Sequence, residues 1–422
     1  MLITKKKIKF YLIKFIIILL TILSLYYLYF SYIISFKSNN NYNFKKNYFK
    51  NSININFKNN KNRFKKISYN KYFYNSKKEA VKNSRLFVMK SIRGLLKYNF
   101  ILKSYNKPKV SVIIPIRNRG KTIKRAIRSI QNQDMPEIEI ILINDFSLDN
   151  TFNIIKDINK EDSRINVINN KKHMGTLYSR SIGVLLSNGK YVFPLDSDDM
   201  FLSEDVFNVV YEKAEENNYD IVSFKGIIVW NLTNFFINKE LRDFRFHKKE
   251  IILHQPDLGD YAVGKLSLAG KCIKNKIYKN AIKAYGKKRY SKFITFLEDA
   301  IINYIICQFA KSKKYILKYG ILIIRSKYSD SHSYNEVKRN IFRIKYIEVL
   351  FEFSRNSFRA KKACAFYIIA LLKNKHLYKS LLDIKIRNFF FLLIKRVILS
   401  KYISKNYKKK IINYKKKIHN FF

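Results

Sequence analysis

Short apolar runs alternate with longer helical patterns between residues 110 and 229 of the 422-residue chain. The apolar runs are continuous and rich in β-branched residues, which is typical of strands buried on both faces of a sheet. They predict five strands, over Val110–Ile116, Ile138–Ile143, Ile165–Asn169, Lys190–Leu195 and Asp220–Val229. Helical patterns lie between them, over Lys121–Gln133, from Asp149 or Asn150 to about Ile158, over Gly175–Ser187 and over Ser203–Asn217. This alternation predicts an α/β fold with a mostly parallel sheet flanked by helices.

Polar residues follow three of the predicted strands directly. The segments are Pro115-Ile116-Arg117-Asn118, Asn144-Asp145-Phe146-Ser147-Leu148-Asp149 and Asp196-Ser197-Asp198-Asp199. A single acidic cluster would indicate a helix cap or a solvated turn, and Ser203 with Asp205 is predicted to cap the next helix. Open parallel sheets, however, bind ligands beyond the carboxyl ends of their strands. Three polar strand ends in one sheet therefore predict a ligand site.

The N-terminal region contains one long apolar segment. Phe15–Ile34 is a run of 20 residues without a charge, preceded by five lysines, and as a helix it would span about 30 Å of hydrocarbon. A cleaved signal peptide is the alternative, but the apolar region is too long and no small-residue cleavage site follows it. The chain is thus divided into a basic tail (1–14), a transmembrane signal-anchor (15–34), an Asn/Lys-rich stem (35–107), a folded domain (108–335) and a basic helical region (336–422). Within the stem, Ala80–Tyr98 could form an amphipathic helix.

The chain is strongly basic, with 84 Lys and Arg against 30 Asp and Glu and a formal net charge of +54. Such an excess predicts attraction to anions, whether nucleic acid, lipid head groups or phosphorylated small molecules. The segment Val110–Asp220 is nearly neutral, with 14 basic and 17 acidic residues, as expected of a compact domain between less constrained flanks. No nucleic-acid partner is expected, because RNP-like and finger motifs are absent. Three widely spaced cysteines argue against a disulfide scaffold or a structural zinc site.

The ordered series of motifs resembles the family 2 glycosyltransferases of the GT-A fold. The family opens on an apolar strand that ends in Pro-x-Tyr-Asn, which corresponds to VSVIIPIRN. Its Asp-Asp-x-Ser-x-Asp turn corresponds to NDFSLDNT, and its Arg-Asn-x-Gly helix before a Leu-Asp-x-Asp-Asp strand end corresponds to SRSIGVLLSNGKYVFPLDSDD. The resemblance covers Lys109–Ser331, which is half of the chain, and is far more specific than an isolated Asp-x-Asp motif. It implies a GT-A (Rossmann-like) domain over 108–335, with an N-terminal transmembrane helix and a C-terminal helical extension.

The resemblance implies an inverting transfer of a sugar from a nucleotide-diphosphate sugar, a UDP-sugar by preference, to a hydroxyl of a glycan, glycolipid or glycoprotein acceptor. The only tryptophan is Trp230, so the Gln-x-x-Arg-Trp motif of processive synthases is absent and a non-processive enzyme is expected. A divalent cation, Mn²⁺ or Mg²⁺, is expected to neutralise the leaving diphosphate. Asp198 of the Asp-x-Asp motif and His332 are the implied metal ligands.

An acid pair downstream of these motifs is the implied catalytic centre. FITFLEDAIINYII resembles the family's Glu-Asp pair ahead of its acceptor helix. By that match Asp299 is the general base for the acceptor hydroxyl, and Glu298 supports it or contacts the acceptor. Acids placed favourably at a helix N-terminus explain the same pair without catalysis, so both interpretations stay open.

Seven further residues are implied contacts of the nucleotide sugar: Pro115, Arg117, Asn118, Asp145, Arg180, Asp196 and Lys271. By the resemblance, Asp145 would accept a hydrogen bond from the uracil ring or the ribose, and Asp196 would lie near the ribose. Arg180 would meet the diphosphate, because a planar guanidinium fork suits phosphate oxygens.

Other matched positions are less specific. Lys271 would touch the diphosphate or the acceptor, with a solvated side chain as the alternative, and Asp199 could cap or brace its loop. Three residues depart from the family pattern: Arg117 stands in place of Tyr, Asn144 in place of Asp and Ser181 in place of Asn. These departures leave open a catalytically inactive protein that binds nucleotide sugars or glycans.

The predicted anchor bears on topology and localisation. Lysines on both sides of Phe15–Ile34 favour a cytosolic N-terminus only slightly. In that orientation the protein is a single-pass type II membrane protein, with its domain in the Golgi lumen if the source is eukaryotic, and Asn231-Leu-Thr offers a glycosylation acceptor. A bacterial inner-membrane enzyme with a cytosolic catalytic domain is the alternative. The C-terminal NFFFLLIKRVILSKYI is too short to span a bilayer and is predicted either to pack in a core or to lie on an anionic membrane surface.

Overall fold

The computed structural model describes residues 76–96, 104–237, 242–244, 267–291, 294, 297–325, 336–353, 358–374, 377–401 and 403–419. The predicted basic tail, the transmembrane signal-anchor and His332 lie outside these ranges. Over the ranges described, no helix has both the length and the apolar character needed to cross a membrane.

One mixed sheet forms the centre of the fold. Its strands are β1 (Val110–Ile116), β2 (Ile138–Asn144), β3 (Ile165–Asn169), β4 (Tyr191–Pro194), β5 (Met200–Phe201), β6 (Ile221–Val229), β7 (Arg242–Phe244), β8 (Lys271–Lys274) and β9 (Lys313–Ile324). They lie in the order β3-β2-β1-β4-β8-β6-β9-β5, and β7 pairs with β6. All five strands predicted from the apolar runs are confirmed.

The first four strands form a parallel half of this sheet. β1 pairs in parallel with β2 and β4, and β2 pairs in parallel with β3. Every residue of β1 and β2 is buried, which explains why their sequences are apolar without alternation. Within β1, Ile113 packs into one core while Val112 and Ile114 pack into the other, because successive side chains point to opposite faces.

The other half of the sheet adds antiparallel strands to the predicted parallel ones. β8 lies antiparallel between β4 and β6, while β5 and β7 run antiparallel to β9 and β6. Of the pairs formed there, that of β6 with β9 is parallel. β5 and β8 span two and four residues, too few for a periodicity to be recognised. Strand direction depends here on long connections, which local composition does not specify.

Helices cover both faces of the sheet. They are α1 (Lys77–Ile92), α2 (Ile123–Gln131), α3 (Thr151–Glu161), α4 (Thr176–Leu186), α5 (Val206–Glu216), α6 (Leu232–Ile237), α7 (Asn275–Tyr285), α8 (Lys287–Tyr290), α9 (Glu298–Phe309), α10 (Glu336–Phe353), α11 (Phe358–Leu372), α12 (Leu377–Ser380), α13 (Ile384–Leu399) and α14 (Lys405–His419). On one face α2, α3 and α5 close a core with side chains of β1 and β2. On the other face α4, α7 and α9 share one core with α10, α11, α13 and α14.

Part of the predicted stem belongs to the folded domain. The predicted amphipathic helix is present as α1, and Ser76 Oγ caps it by accepting from Glu79 N at 3.2 Å. Its buried Ala80 and Val88 pack in a cluster that includes Ile227 of β6. The apolar face of α1 is therefore covered by the sheet domain.

Ser203 and Asp205 do not cap α5 in the predicted way. Asp205 stands at the N-cap position, but its side chain accepts no capping hydrogen bond. Its two carboxylate oxygens accept instead from Lys318 Nζ, at 2.7 and 2.6 Å, and Ser203 Oγ donates to one of them at 2.6 Å. Lys318 lies on β9 and is fully buried, and this burial lowers the pKa of its ammonium although Asp205 opposes the effect. A buried cation from a distant strand thus replaces the local cap.

Asp205→Ala is expected to lower the free energy of unfolding by about 3–5 kcal/mol, because it removes the carboxylate that pairs with the buried Lys318 ammonium. The double variant Asp205→Ala/Lys318→Met is expected to recover most of the loss, since an apolar pair often replaces a buried ion pair at little cost. The control is Asp157→Ala, which breaks the exposed Asp157–Lys160 pair and should change stability by ~0.5 kcal/mol or less. Urea unfolding measures all three. A double variant as unstable as the single one would contradict the explanation.

Candidate active site

The polar strand ends meet at one edge of the sheet. The β1–β2 ladder pairs Ile116 with Asn144, and Asp145 N continues it by donating to Ile116 O at 2.8 Å. Beyond β4, Leu195 N donates to Ile113 O at 3.1 Å. Parallel strands end on the same side of a sheet, so the three predicted segments share the edge where such sheets bind ligands.

Arg180 of α4 connects this edge to the predicted catalytic pair. Its side chain is only 2% exposed, and its two terminal nitrogens donate to different carboxylates. Nη1 donates to Asp299 Oδ1 at 2.5 Å, and Nη2 donates to Asp196 Oδ1 at 2.8 Å. The bridge joins residues 119 positions apart in the chain. In this arrangement Arg180 holds two carboxylates, and its predicted diphosphate contact stays a prediction.

The acid pair Glu298-Asp299 begins helix α9, as the sequence predicts. The preceding Leu297 has a left-handed backbone with a φ of 62°, which sets the sharp entry into the helix. Asp299 Oδ2 accepts from Leu268 N at 3.2 Å, while its Oδ1 contacts Arg180. Asp299 is thus oriented from two sides by residues outside its own helix, an arrangement that a simple helix-terminal acid does not require.

Burial and mutual repulsion perturb the acids around this bridge. Burial is the main cause that raises the pKa of Glu298 to about 8, and the charge of Asp299 adds to it. The pKa of Asp196 rises to about 6, first through desolvation and then through Asp299 and Asp198, although Arg180 opposes the shift. Burial disfavours the charged guanidinium of Arg180, yet the two carboxylates hold its pKa above the ordinary value. At neutral pH Glu298 is therefore mainly protonated, beside an ionised Arg180.

The acids of the Asp-x-Asp-Asp segment occupy different environments. Asp198 is partly exposed, with its Oδ2 3.7 Å from Arg119 Nη2, and its backbone oxygen accepts from Arg125 Nη2 at 3.1 Å. Asp199 is buried and its Oδ1 accepts from Ile324 N at 2.9 Å. Burial, followed by the charges of Asp198 and Asp196, raises the pKa of Asp199 well above its ordinary value. Asp199 thus braces its loop against the end of β9, which is one of the two structural roles left open by the sequence.

The carboxylate oxygens at this strand end fit a divalent cation that takes most of its other ligands from the phosphates of the substrate. No group of three or more His, Cys, Asp or Glu that could hold a metal ion occurs in the part of the chain that the structure describes. Asp198 and Asp196 nevertheless present carboxylates whose side chains are 27% and 47% exposed. Mg²⁺ and Mn²⁺ favour such hard oxygen ligands, and Mg²⁺ is commonly held by one or two carboxylates with substrate phosphates. Asp198 would therefore hold the ion.

Asp145 organises the turn before α4. Its Oδ1 accepts from Asn170 Nδ2 at 2.9 Å and Met174 N at 2.8 Å, while its Oδ2 accepts from Gly175 N at 2.8 Å and bonds His173 Nδ1 at 2.8 Å. The carboxylate is buried among these partners. Its predicted contact with a uracil ring or ribose stays a prediction.

The loops after β1 and β2 are joined to each other. Arg117 Nη1 donates to the backbone oxygens of Asp145 and Phe146 at 2.9 and 3.0 Å. Asn118, whose φ is 50°, accepts from Leu148 N at 2.8 Å through its Oδ1. Pro115 lies buried inside β1. Of these predicted donor contacts, Arg117 and Asn118 shape the loop surface and Pro115 supports it from beneath.

Lys271 is not the solvated side chain that the sequence left as an alternative. It is 2% exposed on β8, and its Nζ donates to Ser267 O. Its buried position behind the strand favours a role in holding the 267–270 turn. Leu268 N of that turn donates to Asp299, so Lys271 supports the position of Asp299 indirectly.

Two residues at the site were missed by the motif comparison. Arg119 lies closest to the Asp198 carboxylate, and its position two residues beyond Arg117 in the same strand-end loop was the available signal. Phe146 has a left-handed φ of 57° and a ring that is 44% exposed, in a turn whose other residues are largely polar. An exposed aromatic residue at a ligand-binding edge offers a flat surface for stacking.

One known sequence family matches the part of the chain that carries most of these residues. The family model described as Glycosyl transferase family 2 matches residues 111–266. The matched segment contains all three polar strand ends and Arg180, and it ends before the acid pair of α9.

Curated bacterial proteins resemble the same part of the chain. A GalNAc(5)-diNAcBac-PP-undecaprenol beta-1,3-glucosyltransferase of Campylobacter jejuni is 32% identical over 166 residues, 38% of this chain and 53% of that protein. Glycosyltransferase GlyG of Streptococcus pneumoniae is 31% identical over 113 residues, 27% of this chain and 37% of that protein. Poly(ribitol-phosphate) beta-N-acetylglucosaminyltransferase TarP of Staphylococcus aureus is 40% identical over 119 residues, 27% of this chain and 35% of that protein. The chain thus spans about half or less of the length of these relatives.

Solved structures support the fold over a longer stretch. TarS residues 1–349 of Staphylococcus aureus align with a TM-score of 0.51 at 14% identity, covering 74% of this chain and 90% of that one. The same fragment in complex with UDP-GlcNAc gives a TM-score of 0.51 at 15% identity, with the same coverage of both chains. At this identity the likeness concerns the fold alone. Residues 111–266 therefore match the glycosyl transferase family 2 model, and the chain has a mixed α/β fold of the GT-A type.

Proposed function

We propose that the protein is an inverting, non-processive glycosyltransferase that transfers a sugar from a nucleotide-diphosphate sugar to a hydroxyl of a glycan or lipid-linked acceptor. The observation that carries the proposal is the Arg180 bridge, which ties Asp196 of the Asp-x-Asp motif to Asp299 of the acid pair. Two motifs that would merely cap helices have no reason to share one buried cation. The TarS complex with UDP-GlcNAc and the names of the curated relatives support this donor class and a glycan or lipid-linked acceptor.

In the proposed reaction Asp299 takes the proton of the acceptor hydroxyl. An inverting transfer needs one such base, on the side of the sugar opposite the leaving group. Arg180 holds Oδ1 of Asp299 and the Leu268 N–H holds Oδ2. A carboxylate oxygen has two lone pairs, so both oxygens keep acceptor capacity while their direction is set. Glu298, protonated at neutral pH, adds no second negative charge beside the base.

We assign the leaving diphosphate to the side of the Arg180 bridge that carries Asp196 and Asp198, opposite Asp299. Asp198 would hold Mn²⁺ or Mg²⁺, and the bound ion would neutralise charge that develops on the diphosphate. Arg119, whose Nη2 lies 3.7 Å from Asp198 Oδ2, adds a protein cation at the same position. We assign a diphosphate contact to Arg119, because it lies beside the carboxylate that would hold the ion.

The nucleobase is assigned to the joined loops after β1 and β2. The exposed ring of Phe146 supplies the stacking surface there. Arg117, which fixes the backbone of this turn, stands where the family places Tyr, so the stacking role passes to a neighbouring loop.

A catalytically inactive nucleotide-sugar or glycan binding protein is the second candidate. The departures Arg117, Asn144 and Ser181 favour it, because each alters a donor-side position of the family pattern. Asn144 Nδ2 donates to Asn169 Oδ1 at 2.7 Å and Ser181 is buried, so both residues have structural surroundings of their own. The enzyme and a nucleotide-sugar binding protein both bind donor, and turnover separates them.

Thermal unfolding with UDP, GDP or CDP, each with and without Mn²⁺, tests donor binding. UDP with Mn²⁺ is expected to give the largest rise in Tm, since a ligand at 100 times its Kd stabilises a fold by about 2.7 kcal/mol. Asp198→Ala is expected to abolish the Mn²⁺-dependent part of the rise, and Asp157→Ala, on an exposed surface, serves as the control. No rise with any nucleotide would contradict both the enzyme and a nucleotide-sugar binding protein. If a nucleotide does bind, release of UDP from UDP-sugars would identify an enzyme and exclude a binding protein without turnover.

The predicted transmembrane signal-anchor at 15–34 remains part of the proposal. The bacterial sources of the relatives support an inner-membrane enzyme with a cytosolic catalytic domain over a Golgi enzyme. Asn231 is exposed, and its Oδ1 accepts from Asn234 N at 2.9 Å at the start of α6. Mapping glycan occupancy at Asn231 in a eukaryotic host distinguishes the two orientations.

A further inference from the structure

The helix α13 has two apolar sides. One side is buried in the core through Phe390, Leu393 and Val397, so the core-packing interpretation of this segment is correct for that side. On the outer side Leu392 and Leu399 are 56% and 72% exposed. They are seven residues apart and therefore lie along one face of the helix. The protein core does not explain these two leucines.

Basic residues accompany the exposed leucines. Lys395 and Arg396 lie three and four residues after Leu392, on the same helical face, and both are exposed. On α14 the exposed residues Lys405, Lys409, Ile412 and Lys416 form a similar stripe, again mainly basic with one apolar member. The outer faces of both helices therefore combine apolar and positively charged side chains.

A groove of about 390 Å³ runs between the two helices. Phe391, Ile394 and Ile398 contribute apolar walls, and Lys395 and Lys415 add basic side chains. Lys415 Nζ lies 5.4 Å from the centre of the Phe391 ring, so α14 runs alongside α13 here. We call the groove, together with Leu392 and Leu399, the C-terminal surface.

The charge of this region is not balanced within its own helices. Between Ile384 and His419 the sequence contains twelve Lys and Arg and neither Asp nor Glu. The preceding acid, Asp383, caps α13 by accepting from Lys385 N and Ile386 N at 2.8 and 3.1 Å. A partner that complements the C-terminal surface must accordingly be anionic and must also accept leucine side chains.

We propose that the C-terminal surface binds to an anionic phospholipid bilayer and lies parallel to its plane. Leu392 and Leu399 would enter the boundary between head groups and acyl chains, while the lysines reach lipid phosphates. Each lysine near an anionic membrane contributes attraction that salt weakens. A second copy of this chain would oppose the same positive charge, and a nucleic acid would leave the exposed leucines in water.

The C-terminal surface is built on the same core as the candidate base. α13 and α14 pack with α9 and α10 in one hydrophobic cluster, and Tyr304 Oη of α9 donates to Leu350 O of α10 at 3.2 Å. Membrane contact would therefore fix the height of the domain above the bilayer, independently of any N-terminal anchor. The inference does not depend on the proposed reaction.

Site-specific fluorescence in the full chain tests this proposal. The native cysteines Cys272, Cys307 and Cys364 are buried, so a cysteine introduced by Leu399→Cys can be labelled selectively with an environment-sensitive dye. Leu186→Cys on α4 is the matched control, because Leu186 is a similarly exposed leucine outside the C-terminal surface. The labelled chains are reconstituted in vesicles of phosphatidylcholine alone or with phosphatidylglycerol at three parts in ten, so that any N-terminal anchor is inserted in every sample.

The label at position 399 is expected to shift to the blue and to be quenched by brominated acyl chains in phosphatidylglycerol vesicles, and to lose most of this response in 0.5 M salt. The label at position 186 should not respond. Adding Lys405→Glu, Lys409→Glu and Lys416→Glu should abolish most of the response at 399, since three attractive charges become repulsive. Equal behaviour of the labels at 399 and 186 would overturn the proposal. A response to a short RNA but not to anionic vesicles would overturn it in favour of nucleic-acid binding.

Discussion

Asp299→Asn is expected to reduce turnover by about 10²–10⁴-fold, the usual contribution of a positioned general base. The amide keeps the shape of the carboxylate and an oxygen that can accept from Arg180, but it cannot take a proton from the acceptor hydroxyl. Initial rates of UDP release in the presence of acceptor measure the effect, and thermal unfolding shows that the variant is folded. A folded variant that retains turnover within a few-fold of the parent would exclude Asp299 as the base.

Glu298→Gln is the matched control for that experiment. Burial, assisted by Asp299, raises the pKa of Glu298 to about 8, so the amide imitates the protonated acid that is present at neutral pH. Near-parental turnover is therefore expected at pH 7. The native state keeps a proton that the unfolded chain releases between about pH 4.5 and 8, so the parent loses stability as pH rises through that interval. The Tm advantage of Glu298→Gln is accordingly expected to grow from pH 5 to pH 8.

Arg180→Met is expected to impair turnover and stability together. The substitution leaves Asp299 and Asp196 without their shared cation, and the loss of one partner of a buried ion pair costs about 3–5 kcal/mol. Because the Asp196 side chain is 47% exposed, solvent screening should bring the cost to about 3 kcal/mol or less. Turnover should fall because the carboxylate of Asp299 loses one of its two orienting contacts. Urea unfolding and single-turnover rates measure the two effects separately.

Arg180→Lys distinguishes charge from geometry at the bridge. A lysine keeps the positive charge but lacks the planar fork that reaches two carboxylates at once. It is expected to recover part of the stability and little of the turnover. The stability loss in Arg180→Met should be smaller at pH 4 than at pH 7, because the Asp196 carboxyl, whose pKa is raised to about 6, is then protonated and no longer needs a counter-ion. Full recovery of turnover by lysine would show that only the charge of Arg180 matters.

The strand ends show how much of the site the sequence predicts. β1 and β2 are apolar at every position because both faces are buried, and the polar residues that follow mark where burial ends. Parallel pairing then places these ends on one edge, so Asp145 and Asp198 share that edge without further information. The acid pair at the start of α9 was instead identified by its resemblance to the family's Glu-Asp pair, and its position at the head of a helix is confirmed.

The partners of the polar side chains were not predictable from local pattern. Asp205 was expected to cap α5, but the buried Lys318 of a strand more than one hundred residues away binds it instead. Arg180 contacts two carboxylates that the sequence did not predict as its partners, and its predicted diphosphate contact stays a prediction. In both cases a buried charge needs a counter-charge, and which residue supplies it depends on long-range packing that local sequence does not encode.

The sequence by itself determined the α/β alternation, the edge of the sheet that carries the polar residues and the membership of those residues in one family pattern. Periodicity and burial depend on neighbouring residues, so both can be recognised from the sequence. Only the tertiary structure decided that β5, β7 and β8 run antiparallel to their neighbours, that Arg180 joins the two acid motifs and that the outer side of α13 is left exposed beside basic residues. These features depend on contacts between segments far apart in the chain, because burial and charge pairing are settled only when the segments pack.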